Sequence, residues 1–298
     1  MSWLVTAVQR NYIRILFPIT VILLFICLYL LYTTEQFPGG ADLCVVAKDR
    51  LSVDKENHKN ATKQWWEWAC LLEIEFDKQH EYTCQDERLI GNYHICFDEA
   101  YKPTPPCLVY SFGIDNDFRF DDKMAELGCE VYSFDPSMNV EDHKRSERVH
   151  FFNIGLSTKD DDNFVPKMDG YTIHSTKRWR TRTLTSLKKM LGHEHRAIDI
   201  LKMDVETYEW VIMPELLKNG SMKSVRQLTL EWHIFPNEPM RTEFHNMYGT
   251  YLDLKKVGFR QFYLSYWARY HNLQYFNSQN DNSLVNELFN AQAFYQSK

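Results

Sequence analysis

The sequence predicts an α/β protein, a doubly wound and mostly parallel sheet behind an N-terminal transmembrane helix and a cysteine-containing extension. Three observations predict it. From Cys107 onward, short runs of strand formers alternate with amphipathic segments, as in a sheet whose strands are joined by crossing helices. Ahead of that region, Ile15 to Tyr32 is almost unbroken apolar sequence. Between the two lies a segment rich in tryptophan and cysteine.

The apolar run is interrupted only by Pro18 and Thr20 and, with Tyr12 and Ile13, approaches the ~20 residues that span a bilayer. Arg10 and Arg14 precede it, while Glu35 and Asp42 follow it, so residues 1–14 are expected in the cytosol and 15–32 as the anchor. No small-residue cleavage site stands out around Leu30 to Thr34. The expectation is a single-pass type II membrane protein of the secretory pathway, in the Golgi or the ER, with its bulk in the lumen.

The cysteines agree with an oxidising compartment. Apart from Cys27, six remain (Cys44, Cys70, Cys84, Cys96, Cys107 and Cys129), and six cysteines allow 15 pairings among which the sequence does not choose. They do not repeat a CxxC zinc spacing. Cys129 opens a strand and reads equally as a buried thiol. Asn60-Ala-Thr62 and Asn219-Gly-Ser221 are glycosylation sequons.

Residues 33–63, with Pro38, Gly39, Gly40 and a charged run, read as a stem. Residues 64–106 form the extension: Trp65, Trp66, Trp68, Leu71, Leu72, Ile74 and Phe76 are expected to be core rather than a sugar platform, since large rings bury the most area. Pro103, Pro105 and Pro106 end it by forbidding regular structure.

The α/β domain is placed at 107–298. Leu108 to Phe112 is a strand ending at Gly113, residues 118–127 a helix stopped by Gly128, and Glu130 to Phe134 a strand ending at Asp135. Val149 to Ile154 is a strand with Gly155-Leu-Ser157 behind it. The charged residues 158–182, including Asp160 to Asp162 and Lys177, Arg178, Arg180 and Arg182, read as a solvated loop whose basic part could instead meet an acidic substrate. Thr183 to Leu191 is a helix, Ala197 to Met203 a strand closed by Asp204-Val-Glu206, and Glu209 to Leu217 a helix interrupted near Pro214. Val225 to Ile234 is a strand, Leu252 to Lys256 a short helix, and Phe259 to Tyr266 a last strand. Gly113, Asp135, Asp204, Glu231 and His233 all fall at the carboxyl ends of strands, where doubly wound sheets bind ligands. Asp135 also stands about twenty residues after the glycine turn, the spacing by which such units grip a ribose diol.

Val-Tyr-Ser-Phe-Gly-Ile114, Phe-Asp-Pro136, Asn-Ile-Gly-Leu-Ser157, Thr-Leu-Thr-Ser-Leu187, Leu-Lys-Met-Asp-Val-Glu206 and Gly-Phe259 resemble, in order, the FkbM type of S-adenosylmethionine-dependent methyltransferases. The resemblance covers roughly residues 90–270. It implies a Rossmann-like fold and S-adenosyl-L-methionine as cofactor. By position it places Gly113 against the methionine part, with Asp115 of the same turn among the cofactor-binding residues. Asp135 would hold the ribose hydroxyls, Asn153, Gly155 and Leu156 would line the adenine, and Asp204 would face the reaction edge. FkbM sequences usually carry glycine after Asp-Val-Glu, where this chain has Thr207, and a side chain there would narrow the cofactor or acceptor space.

The function that follows is O-methylation of a lumenal acceptor, a glycan, protein or small molecule bearing a hydroxyl. Such an acceptor must lose its proton, for which Asp204 is the first candidate and His233 or Glu231 the alternates. A satisfied core histidine and a helix cap are the structural alternatives for His233 and Asp204. No metal site is assigned, although Asp115, Asp117 or Asp204 would suit a hard cation. Two rival functions remain: a Golgi-type glycosyltransferase using Asp115 and Asp117 with a metal, and a non-catalytic methyltransferase-like interaction module. A net charge of −6 supplies no broad basic surface, so nucleic acid is not an expected partner; the only membrane contact expected is through the chain's own N-terminal helix.

Overall fold

The computed structural model describes residue 44 and residues 63–78, 80–168, 172, 178–234, 238–266 and 279–290. The expected tail, the 15–32 span, nearly all of the stem and the Asn60 sequon lie outside the described residues. Among the described residues, no helix is long and apolar enough to cross a membrane.

The extension contributes helix α1 (Trp65–Phe76) and the hairpin β1 (Glu87–Ile90) and β2 (Tyr93–Cys96). The central strand β3 (Leu108–Phe112) is buried along its whole length, as a run of apolar strand formers covered on both faces should be. Helix α2 (Arg119–Glu126) follows and is stopped by Gly128 at φ 94°, then β4 (Glu130–Phe134), the two-residue β5 (His143–Lys144) and β6 (Val149–Phe152). Next come β7 (Gly155–Leu156), β8 (Asp161–Phe164), β9 (Trp179–Arg182) and α3 (Leu184–Met190), whose Thr183 cap accepts from the Ser186 amide at 3.1 Å. The remaining described elements are β10 (Ile198–Met203), α4 (Glu209–Lys218), β11 (Val225–His233), α5 (Phe244–Lys256), β12 (Phe259–Tyr266) and β13 (Gln279–Asn286).

The main sheet has eight strands in the order β12-β13-β11-β10-β3-β4-β6-β5. Strands β11, β10, β3, β4 and β6 are parallel neighbours, and β13 and β5 run antiparallel to theirs. The chain enters at β3, winds out to β6 and returns to β10, so the winding reverses between β3 and β10. The expected mostly parallel sheet is present at the centre, and the structure adds antiparallel strands at both edges.

Five further readings are revised. The 158–182 segment is not only loop: β8 pairs antiparallel with β9, and β9 pairs parallel with β7, making a small second sheet. Backbone pairing overrides the charge there because the exposed face of a strand tolerates charge. The short helix at 252–256 is the end of the 13-residue α5, and α4 runs through Pro214 without a break. Strand β13 went unread because Gln279-Asn-Asp-Asn-Ser283 is polar, yet it lies between β11 and β12 with Asn280 and Asn282 fully buried. Cys129 is not a free thiol: the pairs are Cys44–Cys70, Cys84–Cys96 and Cys107–Cys129.

Side-chain hydrogen bonds join the extension to the sheet. Gln227 of β11 accepts from the Cys96 amide and donates to the Cys96 and Tyr101 carbonyls, each at 2.9 Å. Gln261 of β12 donates to the carbonyls of Phe76, the last residue of α1, and Lys78, just beyond it, at 3.1 and 3.2 Å. Helix α1 packs on α5 through Trp68 against Tyr248 (5.8 Å) and Phe76 edge-on to Tyr251 (4.9 Å). Trp68 is buried and belongs to the same cluster as Leu108, Leu201 and Leu230 of the sheet, so the aromatic segment is core.

Candidate active site

A cavity of about 590 Å³ opens at the carboxyl ends of the parallel strands, beside the switch point between β3 and β10. Phe112 and Phe134, stacked at 4.7 Å, form its base, while Pro136 and Leu156 line one wall. Phe164, Trp179 and Thr181 of the small sheet reach over it, and Asn92 and Tyr93 arrive from the hairpin. Asp115, Asp117, Asp204, Glu206 and Glu231 make its lining acidic.

The β3–α2 turn is shaped by left-handed residues: φ is 77° at Gly113, 42° at Asp115 and 64° at Asn116. A Cβ on Gly113 would lie 1.6 Å from the Asp204 carbonyl oxygen, so only glycine lets this turn close on the end of β10. The turn aims the amides of Ile114 and Asp115 at Asp135, whose Oδ2 accepts them at 2.8 and 2.9 Å. Its Oδ1 accepts from the Ser137 amide and hydroxyl at 2.8 and 2.6 Å. A carboxylate offers about four acceptor positions, so both oxygens are occupied by the protein. Asp135 is thus at the cavity, as its spacing implied, but its role is corrected from free ribose ligand to anchor of the turn.

Asp115 is exposed at the cavity mouth; burial of its carboxyl and the charges of Asp135, Asp204 and Asp117 raise its pKa. Asp117 is gripped by the Arg119 guanidinium, with Nε at 2.8 Å and Nη2 at 2.5 Å, which lowers its pKa. An Asp115/Asp117 pair free to hold a metal is therefore not formed. Gly155 and Leu156 line the cavity, whereas Asn153 does not. Its amide donates to Asp142 and its side chain to the Val140 carbonyl, beside a separate depression with Arg178 and Arg180. The adenine-lining expectation for Asn153 is corrected because β6 ends at Phe152 and the chain turns outward there.

At the reaction edge, Asp204 Oδ2 accepts from the Tyr93 hydroxyl at 2.9 Å and lies 3.8 Å from Lys202 Nζ. Lys202 also donates to the Phe112 and Gly113 carbonyls, linking β10 to the turn. Burial and the Asp204 charge push the Tyr93 hydroxyl well above its ordinary pKa, so it stays a neutral donor. Glu231 lines the cavity with its pKa raised to about 8, by burial first and by Asp204 next. Tyr93 escaped sequence reasoning because it lies 111 residues from Asp204. Lys202 left a signal, a lone lysine inside the apolar Ile198–Met203 strand.

His233 is corrected as a candidate base. It is buried and does not line the cavity; Nδ1 lies 3.1 Å from Glu209 Oε1, and Nε2 lies 3.5 Å from Glu206, 3.6 Å from Glu231 and 3.9 Å from Asp204. Burial alone would lower its pKa, but the carboxylates of Glu209, Glu206 and Glu231 outweigh that and raise it to about 10. Thr207 is also corrected: it is buried and absent from the cavity lining, so it narrows nothing. Its φ of 75° nevertheless shows why glycine would suit the position.

S-adenosylmethionine carries a planar purine, a ribose diol and two cationic groups beside one carboxylate. The cavity fits it in volume, in the apolar surface offered by Phe134, Pro136 and Leu156, and in the acidic lining that would meet its positive charge. It departs from the expected pattern at the ribose, where Asp135 is already engaged, and at the adenine, where Asn153 is turned away.

The family that the sequence matches agrees with this chemistry. A family described as "Methyltransferase domain" matches residues 45–286. The chain is 30% identical over 146 residues to "Probable methyltransferase-like protein 24" of Rattus norvegicus, and 29% identical over 148 residues to the protein of the same name in Homo sapiens. These matches cover 47% and 48% of this chain and 38% of each relative, so the chain spans less than half of their length. Among solved structures, the 16S rRNA (adenine(1408)-N(1))-methyltransferase of Catenulisporales acidiphilia aligns with a TM-score of 0.32 at 10% identity, over 67% of this chain and 96% of that one. With the family match running from just ahead of the extension to the end of β13, the chain belongs to the methyltransferase-domain family.

Proposed function

We propose that the protein is an S-adenosylmethionine-dependent methyltransferase that methylates a hydroxyl group of an acceptor, a glycan, protein or small molecule, in the lumen of the secretory pathway. The observation that carries this reading is the acidic cavity at the switch point, with Gly113, Asp115, Asp204 and Glu231 gathered on it. The three disulfides support the lumenal part. When bound, the cofactor supplies an electrophilic methyl group whose bond to sulfur breaks as the bond to the acceptor oxygen forms. Phe134, Pro136 and Leu156 would hold the purine, and Asp115 the cationic methionine end. Asp204 or Glu231 would take the acceptor's proton. Tyr93 and Lys202 hold the Asp204 carboxylate in place, and the small sheet with the hairpin restricts water.

The occupied Asp135 favours one rival, a non-catalytic module that kept the fold and lost the cofactor. Titration calorimetry of the folded full-length chain with S-adenosylmethionine and with S-adenosylhomocysteine separates the two. Micromolar binding, weakened about tenfold by Asp115→Asn, is expected. A folded chain that gives no heat with either compound would sink the methyltransferase reading in favour of the module.

A further inference from the structure

The cluster around His233 has more structure than proton transfer requires. Its Nε2 is surrounded by Glu206 Oε2 at 3.5 Å, Glu231 Oε1 at 3.6 Å and Asp204 Oδ1 at 3.9 Å. These separations exceed a hydrogen bond. They match instead the ~3–4.4 Å between donors that sit about 2.0–2.2 Å from one shared cation. The ligand atoms of Asp204, Glu206 and His233 all lie within 4.8 Å of one another. From these distances we infer that Asp204, Glu206 and His233, with Glu231 beside them, form a binding site for one divalent first-row transition-metal ion at the reaction edge.

Two independent features support the assignment. Behind the histidine, fully buried Glu209 lies 3.1 Å from Nδ1 through Oε1 and is itself fixed by the Val205 amide. That is the outer carboxylate which turns the opposite ring nitrogen of a metal-binding histidine toward its ion. The second feature is charge. Among the described residues, the carboxylates of Asp204, Glu206 and Glu209 converge on the His233 ring, Asp204 also facing Lys202, and Glu209 Oε2 is buried there without a hydrogen-bond partner. A divalent cation offsets that excess, replacing the Nε2 proton when it binds. One imidazole nitrogen with carboxylate oxygens suits Mn²⁺ or Zn²⁺ better than Mg²⁺ or Ca²⁺, which prefer oxygen alone. The site differs from the Asp115/Asp117 pair considered on sequence grounds, and the inference does not depend on methyl transfer.

The test uses the full-length chain stripped with a chelator and no cofactor present. Mn²⁺ binding is followed by the loss of the free-ion electron paramagnetic resonance signal, and Zn²⁺ binding by calorimetry. One ion per chain is expected, with affinity falling 10- to 100-fold in Glu206→Gln and in His233→Gln. Glu206 is only half-buried, so its variant keeps the test informative if His233→Gln fails to fold, which circular dichroism reports. No binding of either ion by the folded wild-type chain up to about 1 mM would overturn the inference, as would binding that both folded variants retain. Because the cofactor titration is run separately and without metal, a chain that binds metal but not cofactor upholds this site while sinking the methyltransferase reading. The reverse result does the opposite.

Discussion

Thr207 stands at φ 75°, a left-handed conformation that a β-branched residue rarely adopts. Relief of that strain should outweigh the added chain entropy of glycine and the lost methyl, so Thr207→Gly is expected to raise stability by about 1 kcal/mol. An unchanged or lower denaturant midpoint would show the turn to be unstrained. Asp135 makes the opposite case. Asp135→Ala removes the acceptor of the Ile114 and Asp115 amides, and is expected to cost the cofactor-free protein about 2–4 kcal/mol. A variant as stable as wild type would return the carboxylate to the ribose role its spacing suggested. His193, buried against the Tyr110 hydroxyl at 2.9 Å, has its pKa lowered to about 4 by burial first and by Arg196 next. Its ordinary value is about 6.5, so between pH 6.5 and 4 the unfolded chain binds a proton that the folded chain refuses. Stability should therefore fall as pH drops through that window, and His193→Gln should flatten the slope measured by denaturation at several pH values.

At the scale of elements, the polar strand β13 and the hairpin carry the lesson. Strands β3 and β10 were legible because both faces of a central parallel strand are covered, which writes a continuous apolar run into the chain. Strand β13 has equally buried residues, but two of its asparagines are held by partners elsewhere: Asn282 donates to Gln261 and Asn286 to the Val225 carbonyl. Buried amides of this kind look like loop in one dimension. Gln227→Leu tests the same device on β11, where it strips partners from the Cys96 amide and from the Cys96 and Tyr101 carbonyls. A loss of about 2–4 kcal/mol is expected in urea unfolding, and a neutral result would show that water replaces the amide.

At the scale of the molecule, the extension and the sheet share one core. Trp68, Leu72 and Phe76 of α1 lie in the same cluster as Tyr248 and Tyr251 of α5. A chain beginning at residue 107 would leave that apolar face and the Gln227 and Gln261 amides uncovered. It is expected to lose the cooperative transition of the full chain, and a sharp melt at the same temperature would show instead that the sheet folds alone. The extension also supplies Tyr93 to the cavity, so its loss would remove part of the site as well as the core.

The sequence by itself determined the central parallel strands, the glycine turn after β3 and the arrival of Asp135, Asp204 and Glu231 at one edge. Strand identity and strand ends are local properties, recorded in apolar runs and the residues that stop them. Only the tertiary structure decided the disulfide pairs, the place of β13, the turning of Asn153 away from the cavity and the occupation of Asp135. It alone brought Tyr93 to Asp204 and gathered three carboxylates about His233 Nε2. The physical reason is that a hydrogen bond or a ligand set depends on which atoms meet across the sheet, and neither residue spacing nor hydropathy records such a meeting.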